Sequence, residues 1–356
     1  MADGSSTGMF WPRPSLHVDG QERPVLAAAL LGITVSESVC GLYRCEALFG
    51  NWNPAASADG FVYFDRQLLE FGKSFQVRFN DAVLFNGRIM AIEGRFPQGT
   101  PPQITVLAED RLQDLRMTRR TRSFAQMSDA DVFRQIASDH GLSAQIDVSG
   151  SSCEVITQVN QSDLAFLRER ARALDAELWV EDRTLHVQPR TRRGANTLEL
   201  TLSSRLREFS VTADLAGQRT SILAHGWDVA GKSALRAEAT STAISGELNG
   251  DDSGVSILAN AIGNRVESIA HSLPLSSTEV QAHAEALFRA NARRFVVGHG
   301  VAETDPQLRV GARVNLKGLG ALFSGKYYVS QVRHVFDGTL GIRTEFTGER
   351  PGISQP

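Results

Sequence analysis

A phrase of the chain is used twice, 238 positions apart: LFNGRIMAIEGRF at residues 84–96 and LFSGKYYVSQVRHVF at residues 322–336, which places Gly87 against Gly325. In both copies an alternating segment comes before the phrase (FGKSFQVRF, VGARVNLKG) and a strand-like run follows it (ITVLAED, LGIRTEFTGER). Alternation with a period of two is typical of a half-buried strand, and Asn-Gly or Ser-Gly is typical of a hairpin turn. We therefore predict one antiparallel β unit present twice, with Gly87 and Gly325 as equivalent turn residues. The alternative is a chance likeness of two ordinary hairpins.

The segment between the copies has a helical pattern. SDADVFRQIASDHG begins with Ser128 and has Asp131 three residues later, which is typical of a capping box. NQSDLAFLRERARALDAE predicts a second helix with Asn160 as its N-cap, and ELWVEDRTLHVQP predicts a hairpin that turns at 181–183. Residues 118–195 are therefore predicted to be a small α/β module inserted between the β units.

The second half adds one helix and one long loop to the prediction. Ser276 and Glu279 have capping-box spacing and start a predicted helix over 276–294, while the polar, glycine-rich residues 240–256 are predicted to form a loop. The fold class is α+β, mainly β. The expected domains are 1–117, the first β domain; 118–195, the inserted α/β module; and 196–356, the second β domain.

Composition excludes several classes of protein. With 356 residues, 42% of them hydrophobic, and a formal charge of −3, the chain is typical of a globular protein with no general affinity for nucleic acid or an anionic membrane. The longest apolar run, residues 25–35, is far shorter than the roughly 20 residues of a membrane helix. Three cysteines favour a reducing compartment. We expect no membrane partner, no specific nucleic acid and synthesis in the cytosol.

One motif suggests nucleotide chemistry. GWDVAGKS, residues 226–233, matches G-x-x-x-x-G-K-[ST], in which Gly226, Gly231, Lys232 and Ser233 would hold phosphate and Mg²⁺. The following segment is a poor helix and the intervening residues are bulky, so the preferred interpretation is a β-turn at Ala230–Gly231 in a hairpin of the second β unit. A P-loop nucleotide-binding hydrolase is the alternative function. No other motif predicts a catalytic residue, a cofactor or a metal ligand.

Two arginine-rich runs lie at the ends of the predicted module, and we expect them to meet at its neck. Because neither run contains aromatic residues that could stack on bases, salt bridges between domains or subunits are preferred to a phosphate-binding patch. The candidate interface charges are Arg116, Arg119, Arg120, Arg122, Arg190, Arg192 and Arg193.

Two stretches resemble a known family. QVNQSDLAFLRERARALDAELWVEDRTLHV (158–187) and GLGALFSGKYYVSQVRHVFDGTLGIRTEFTGERPG (318–352) resemble the phage late control protein D family, the baseplate hub proteins of contractile tails, which are related to the hub part of type VI secretion spikes. AEDRLQDLRMTRRTRSFAQMSDADV, GWDVAGKSAL and ISGELNG look most like members encoded with contractile injection systems. The resemblance runs from about residue 16 to residue 352.

The resemblance implies a function. The resemblance implies a homotrimer in which each subunit supplies two tail-tube-like antiparallel β-barrel domains. Such a trimer would form a pseudo-six-fold ring that joins a hexameric inner tube to a trimeric spike. The implied partners are two further copies, the inner tube protein, a spike protein and other baseplate proteins. Because the sequence ends at Pro356, without the needle of spike-fused relatives, we expect the spike to be a separate protein. The implied location is cytoplasmic assembly, then the phage-tail-like particle, and no enzyme activity is expected.

Overall fold

The computed structural model describes residues 12–55, 59–150, 152–194, 197–270 and 276–354. Strands dominate, most of them antiparallel, and thirteen belong to one sheet that runs through both halves of the chain. This confirms the predicted class, α+β and mainly β.

The first β unit is a set of antiparallel strands in the order β3-β4-β7-β6-β5-β1-β2. Asn80 and Asp81, both in the left-handed region (φ 49° and 63°), make the two-residue turn between β5 and β6. Phe49, Phe75 and Ile89 are fully buried in its core. Its elements are β1 (Ser15–Val18), β2 (Gln21–Glu22), α1 (Pro24–Ala29), β3 (Leu30–Ser38), β4 (Arg44–Gly50), β5 (Ser74–Phe79), β6 (Ala82–Arg95), β7 (Gln103–Glu109) and α2 (Leu112–Arg116).

The next segment has its own core and two small sheets, β8-β10 and β9-β12-β11. The capping box predicted at Ser128 and Asp131 is present. The second helix begins later than predicted: its N-cap is Ser162, because Asn160 still belongs to a strand. The elements are β8 (Arg119–Met127), α3 (Asp129–Asp139), β9 (Ser143–Ile146), β10 (Cys153–Ser162), α4 (Asp163–Ala173), β11 (Ala176–Glu181) and β12 (Thr184–Pro189).

The remaining residues build a second β unit in the order β13-β20-β21-β22-β19-β14, with a smaller sheet, β16-β15-β18, packed on α6 around a separate core. The elements are β13 (Thr197–Thr201), β14 (Leu206–Ala213), β15 (Ser221–Asp228), β16 (Ser233–Thr240), a 3₁₀ helix (Ser241–Glu247), β17 (Asp252–Ser253), α5 (Gly254–Ala261), β18 (Val266–Ile269), α6 (Ser277–Ala292), β19 (Val296–Ala302), β20 (Arg313–Lys317), α7 (Gly320–Phe323), β21 (Gly325–Asp337), β22 (Gly341–Arg350) and β23 (Gly352–Ile353).

Residues 240–256, predicted to be a loop, are largely structured. They hold the 3₁₀ helix, the short strand β17 and the start of α5, whose N-cap Ser253 accepts a hydrogen bond from the amide of Ser256. Ile244 is completely buried in the core beneath α6. The polar composition concealed this because a single apolar side chain anchors the 3₁₀ helix.

The two β units repeat each other strand by strand. In chain order, β3 to β7 correspond to β14, β19, β20, β21 and β22, and the sheet order is the same in both sets. The pairing of β3 with β4 skips Leu31, and that of β14 with β19 skips Arg207. The pairing of β6 with β7 skips Met90, and that of β21 with β22 skips Ser330. Because β-bulges are specific local features, two matched bulges show that the units share one topology and one register.

The shared register corrects the predicted role of the two glycines. Ile89 pairs with Ala108 immediately before the first bulge, as Val329 pairs with Gly348, so Gly87 corresponds to Tyr327 and not to Gly325. Gly87 lies inside β6, where an added Cβ would stand 2.3 Å from the carbonyl oxygen of Glu109. Gly325 begins β21 with φ +133°. The phrases look alike, but their strands start at different points.

The two units join through one strand pair. β21 pairs with β3 in antiparallel fashion, from Gln331 opposite Ser38 to Asp337 opposite Gly32. We call this pair the internal junction. Glu37, 4% exposed, forms an ion pair there with Arg309 and accepts a hydrogen bond from the amide of Val310 (3.2 Å). The junction makes the two units one continuous sheet.

Candidate functional site

The segment that matches a phosphate-binding loop is a hairpin. β15 ends at Asp228, which pairs with Ser233, the first residue of β16. Oδ1 of Asp228 accepts hydrogen bonds from the amides of Ala230 (2.9 Å) and Gly231 (2.8 Å), and Lys232 adopts a left-handed conformation (φ 49°). A phosphate-binding loop needs a helix that begins at its Gly-Lys-Ser, whereas here a strand begins. Gly226, Gly231, Lys232 and Ser233 therefore do not form a nucleotide cradle. The hairpin belongs to the small sheet on α6 and not, as predicted, to the second β unit.

Each arginine of the first run is bonded within the chain. Arg116 binds both carboxylate oxygens of Glu109 (3.2 and 2.6 Å), and Arg119 donates to the carbonyl oxygen of Asn160 (3.1 Å). Arg120 (3.4 Å) and Arg122 (2.8 Å) both pair with the carboxylate of Asp163.

Asp163 is the centre of that charge cluster. It is 1% exposed and also contacts Nε2 of His140 (2.9 Å) and the amide of Gln158 (2.9 Å). Burial acts to raise the pKa of Asp163, but the hydrogen bonds from His140 and Gln158 and the Arg122 charge hold it below its ordinary value. The carboxylate stays ionised and fixes α4 against β8.

The second run contacts three parts of the molecule. Arg190 pairs with Glu349 of β22 (2.9 Å), and Arg192 with Asp147 (2.6 Å). Arg193, 4% exposed, donates to Glu177 of β11 (2.9 Å) and to the hydroxyl of Tyr43 beside β4. No hydrogen bond or ion pair among the described residues joins this run to the first, and the expectation that the two runs meet stays a prediction.

Arg193, Tyr43, Glu177 and Tyr328 form a cluster that we call the central lock. The hydroxyl of Tyr328, on β21, donates to the same Glu177 oxygen that Arg193 contacts, and the Arg193 guanidinium stacks 4.0 Å from the ring of Trp179. Burial raises the pKa of Tyr43 and of Tyr328, so both hydroxyls remain neutral: that of Tyr43 accepts from Arg193 and that of Tyr328 donates to Glu177. Because the lock joins both β units to the intervening module, it holds the three parts in one arrangement.

Sequence reasoning found one member of the lock and missed three. Arg193 belongs to a conspicuous run, but Tyr43 lies 150 positions away and Tyr328 lies 151 positions from Glu177. No local pattern indicates contacts over such distances.

An exposed aromatic cluster lies after β4. Trp52 and Phe96 are 47% and 65% exposed, and the rings of Phe61 and Phe64 stand between them at centroid distances of 5.1 to 6.1 Å. We call these four residues the aromatic cluster. Exposed aromatic patches mark interaction surfaces more often than isolated apolar residues do.

The described residues offer little for chemistry. They contain no group of three or more His, Cys, Asp or Glu that could hold a metal ion. Three histidines in the second half of the chain contact hydroxyls: His225 that of Ser268 (3.0 Å), His299 that of Thr347 (3.2 Å) and His334 that of Thr344 (2.9 Å). No described helix is long and apolar enough to cross a membrane.

Solved structures with this fold are tail proteins. A 43 kDa tail protein of prophage MuSo2 from Shewanella oneidensis matches with a TM-score of 0.72 at 11% identity, over 95% of this chain and 98% of that one. A tail protein from Neisseria meningitidis MC58 matches with a TM-score of 0.69 at 13% identity, over 96% and 97%.

A third structure connects the fold with secretion. An E. coli protein, described as a component of the type VI secretion system with structural similarity to the T4 bacteriophage tail proteins gp27 and gp5, matches with a TM-score of 0.56 at 12% identity, over 96% of this chain and 79% of that one. At these identities the likeness establishes the fold. The structural resemblance to phage tail proteins that the sequence predicted is thereby confirmed.

Sequence comparison gives the family. No curated protein matches this sequence. The family model described as the Alg8 N-terminal domain matches residues 63–337, about three quarters of the chain, from the loop before β5 to the end of β21. The chain therefore belongs to the Alg8 N-terminal domain family, and its fold is that of phage tail proteins.

Proposed function

We propose that this protein is a structural baseplate hub of a contractile tail or contractile injection system. Three copies would form a ring with pseudo-six-fold symmetry that joins a hexameric inner tube to a trimeric spike. Each β unit would be one tail-tube-like barrel domain of that ring. The chain would assemble in the cytoplasm with tube, spike and other baseplate proteins and then remain in the particle.

One observation carries the proposal: two β units of one register lie in one chain and one sheet. Three chains with two such units each present six similar surfaces, which suit a six-fold tube, while the chain itself repeats only three times, which suits a three-fold spike. The fold shared with phage tail proteins supports the same conclusion.

The internal contacts suit a part that transmits force. The central lock and the ion pair of Arg190 with Glu349 tie the module to both units. Arg293 adds a further tie, since it pairs with Glu247 of the 3₁₀ helix (2.6 Å) and with Asp175 after α4 (2.8 Å). A rigid connector of this kind needs no turnover, cofactor or metal, and the proposed role is non-enzymatic.

The test is the position and copy number of the chain in its particle. We expect particles purified from the producing cells to carry the chain at one end of the tube, with three copies in an image reconstruction, and deletion of its gene to leave tubes and sheaths unjoined to a spike. Six copies, or labelling along the tube, would contradict the proposal.

A further inference from the structure

Two strand edges that correspond to the internal junction pair with no other strand among the described residues. Beyond Ile89, β6 pairs with β7 on one side, and on the other side no described strand follows. Apart from one bridge at Leu206, β14 pairs among the described residues with β19 alone. In the other copies of these strands, β21 and β3, the same two edges pair with each other.

Burial differs accordingly. Ile33 and Val35 of β3 are 4% and 1% exposed, whereas the corresponding Phe209 and Val211 of β14 are only half-buried. Phe336 at the end of β21 is 2% exposed, whereas the corresponding Phe96 is 65% exposed. The apolar side chains exposed at the edges of β6 and β14 therefore correspond to side chains that are buried at the internal junction.

The register of the internal junction can be transferred to the free edges. Val332, His334 and Phe336 stand opposite Glu37, Val35 and Ile33. The corresponding residues of β6 and β14 give the following opposed pairs: Ile92 with Ala213, Glu93 with Thr212, Gly94 with Val211, Arg95 with Ser210, and Phe96 with Phe209.

The side chains on these two edges are compatible in that register. One face of the new pair carries Ile92, Gly94 and Phe96 against Phe209, Val211 and Ala213, all of them apolar. The other face carries Glu93 and Arg95 against Ser210 and Thr212, all of them polar. Because side chains alternate between the faces of a strand, a shift by one residue would set apolar against polar along the whole pair.

We propose that the free edge of β6 binds the free edge of β14 of a second copy of this chain, in antiparallel pairing with the register of the internal junction. The proposal rests on the hub function proposed above and specifies its subunit contact. Phe96, and with it the aromatic cluster, packs against Phe209 of the neighbouring copy. Since each chain offers one edge of each kind, the contact is head-to-tail and closes into a ring.

Engineered cysteines in the full-length chain test the register. In a Cys40→Ser background, which removes the exposed native thiol, Glu93→Cys is combined with Thr212→Cys, the residue opposite. The matched control combines Glu93→Cys with Glu208→Cys, four residues or about 14 Å further along the strand at roughly 3.4 Å per residue. A disulfide needs Cα atoms closer than about 7 Å, so only the first pair should close.

We expect oxidation to convert Glu93→Cys/Thr212→Cys into a closed covalent trimer that reducing agent returns to single chains. The yield should be at least tenfold above that of the control pair, and neither single variant should form covalent trimers. Native mass spectrometry of the uncrosslinked protein is measured in parallel.

The outcomes separate the two proposals. A native trimer whose test pair cross-links no better than the control overturns the edge contact and leaves the hub function standing. Specific cross-links in dimers and long ladders without a closed trimer support the edge contact and overturn the three-fold hub. A chain that stays single at every concentration and forms no cross-link overturns both.

Discussion

The two β units share strand order, register and both bulges, but corresponding strand edges are paired at the internal junction and unpaired in the other copies among the described residues. At the internal junction β21 and β3 cover each other, and Val35 is 1% exposed. In the other copies, β6 and β14, the same edges have no partner strand in the described part of the chain, and Phe96 is 65% exposed. A duplicated unit in one chain can satisfy only one junction internally. The difference therefore supports the proposal that the second junction is made between chains.

The largest effect is expected from a substitution that disrupts the internal junction. Val35→Asp places a charge on a buried strand beside Glu37, and we expect it to cost about 3–5 kcal/mol, the usual cost of an uncompensated buried charge. The matched change Val211→Asp, on the half-exposed edge of β14, should cost less than about 1 kcal/mol in the single chain. Thermal unfolding of both variants measures the difference. Equal losses would show that the edge of β14 is not free.

The same pair sharpens the comparison when assembly is measured. Val211→Asp should abolish trimers in native mass spectra although the chain stays folded, because the apolar face of the edge pair would receive a charge. If this variant formed trimers as readily as the unaltered chain, the edge of β14 would lie outside the subunit contact.

The central lock gives the next largest effect. Arg193→Met leaves the buried carboxylate of Glu177 without its cation, and we expect a loss of about 3 kcal/mol, because removing one partner of a buried pair is strongly destabilising. Arg192→Met removes an exposed pair with Asp147 and should cost less than about 1 kcal/mol. Thermal unfolding of both variants measures this difference as well. Similar effects of the two changes would mean that the lock does not hold the units together.

Gly87 and Gly325 test whether the two phrases play different roles. Gly87→Ala brings a Cβ to 2.3 Å from the backbone oxygen of Glu109, so β6 and β7 have to separate, and we expect a loss of about 2–3 kcal/mol, which is typical of overpacking. Gly325→Ala puts a side chain at φ +133° near the Arg350 guanidinium, and we expect about 1–2 kcal/mol from backbone strain. Unfolding midpoints compare the two. Equal losses of stability in the two variants would contradict the different roles assigned to Gly87 and Gly325.

Two buried ionisable groups give the units opposite pH dependence. Burial lowers the pKa of His334 to about 3, so its contribution to stability is complete above its unfolded value of 6.5 and is lost as the pH falls toward 3. Burial raises the pKa of Asp110 to about 7, so its contribution is complete below 3.8 and is lost as the pH rises toward 7.

When either group is replaced, the pH dependence of the free energy of unfolding should be that of the remaining group. His334→Gln should leave a protein whose stability falls from pH 4 to 6.5, and Asp110→Asn one whose stability rises over the same range, each by about 1.4 kcal/mol per pH unit. Unfolding midpoints across this range give both slopes. Flat profiles in both variants would show that neither group titrates differently on folding.

The sequence predicts this fold wherever a local pattern decides the structure. Period-two alternation placed β5 and β20, and the capping box at Ser128 placed α3. The repeat was visible, but its register was not, because a match of letters set Gly87 against Gly325 while the bulges at Met90 and Ser330 decide the true alignment. The central lock depends on contacts between residues far apart in the chain, and the free edges depend on which distant strands pair. No local sequence pattern predicts either of them.

The smallest expected effect concerns Lys232, in the hairpin between β15 and β16, which lie outside the duplicated strands. Lys232→Ala keeps a non-glycine residue in the left-handed conformation and removes no hydrogen bond that shapes the turn, since Asp228 caps it. We therefore expect a change within about 0.5 kcal/mol and unaltered trimer formation. ATP with Mg²⁺ should not shift the unfolding midpoint of either the variant or the unaltered chain, because a ligand raises that midpoint only when it binds the folded state. Lys232→Gly is the control that acts on the backbone, and it should stabilise the turn slightly because glycine adopts a positive φ without strain. Neither variant has the lysine amine. An ATP-dependent shift of the unaltered chain that is lost in both variants would therefore return nucleotide binding to this hairpin.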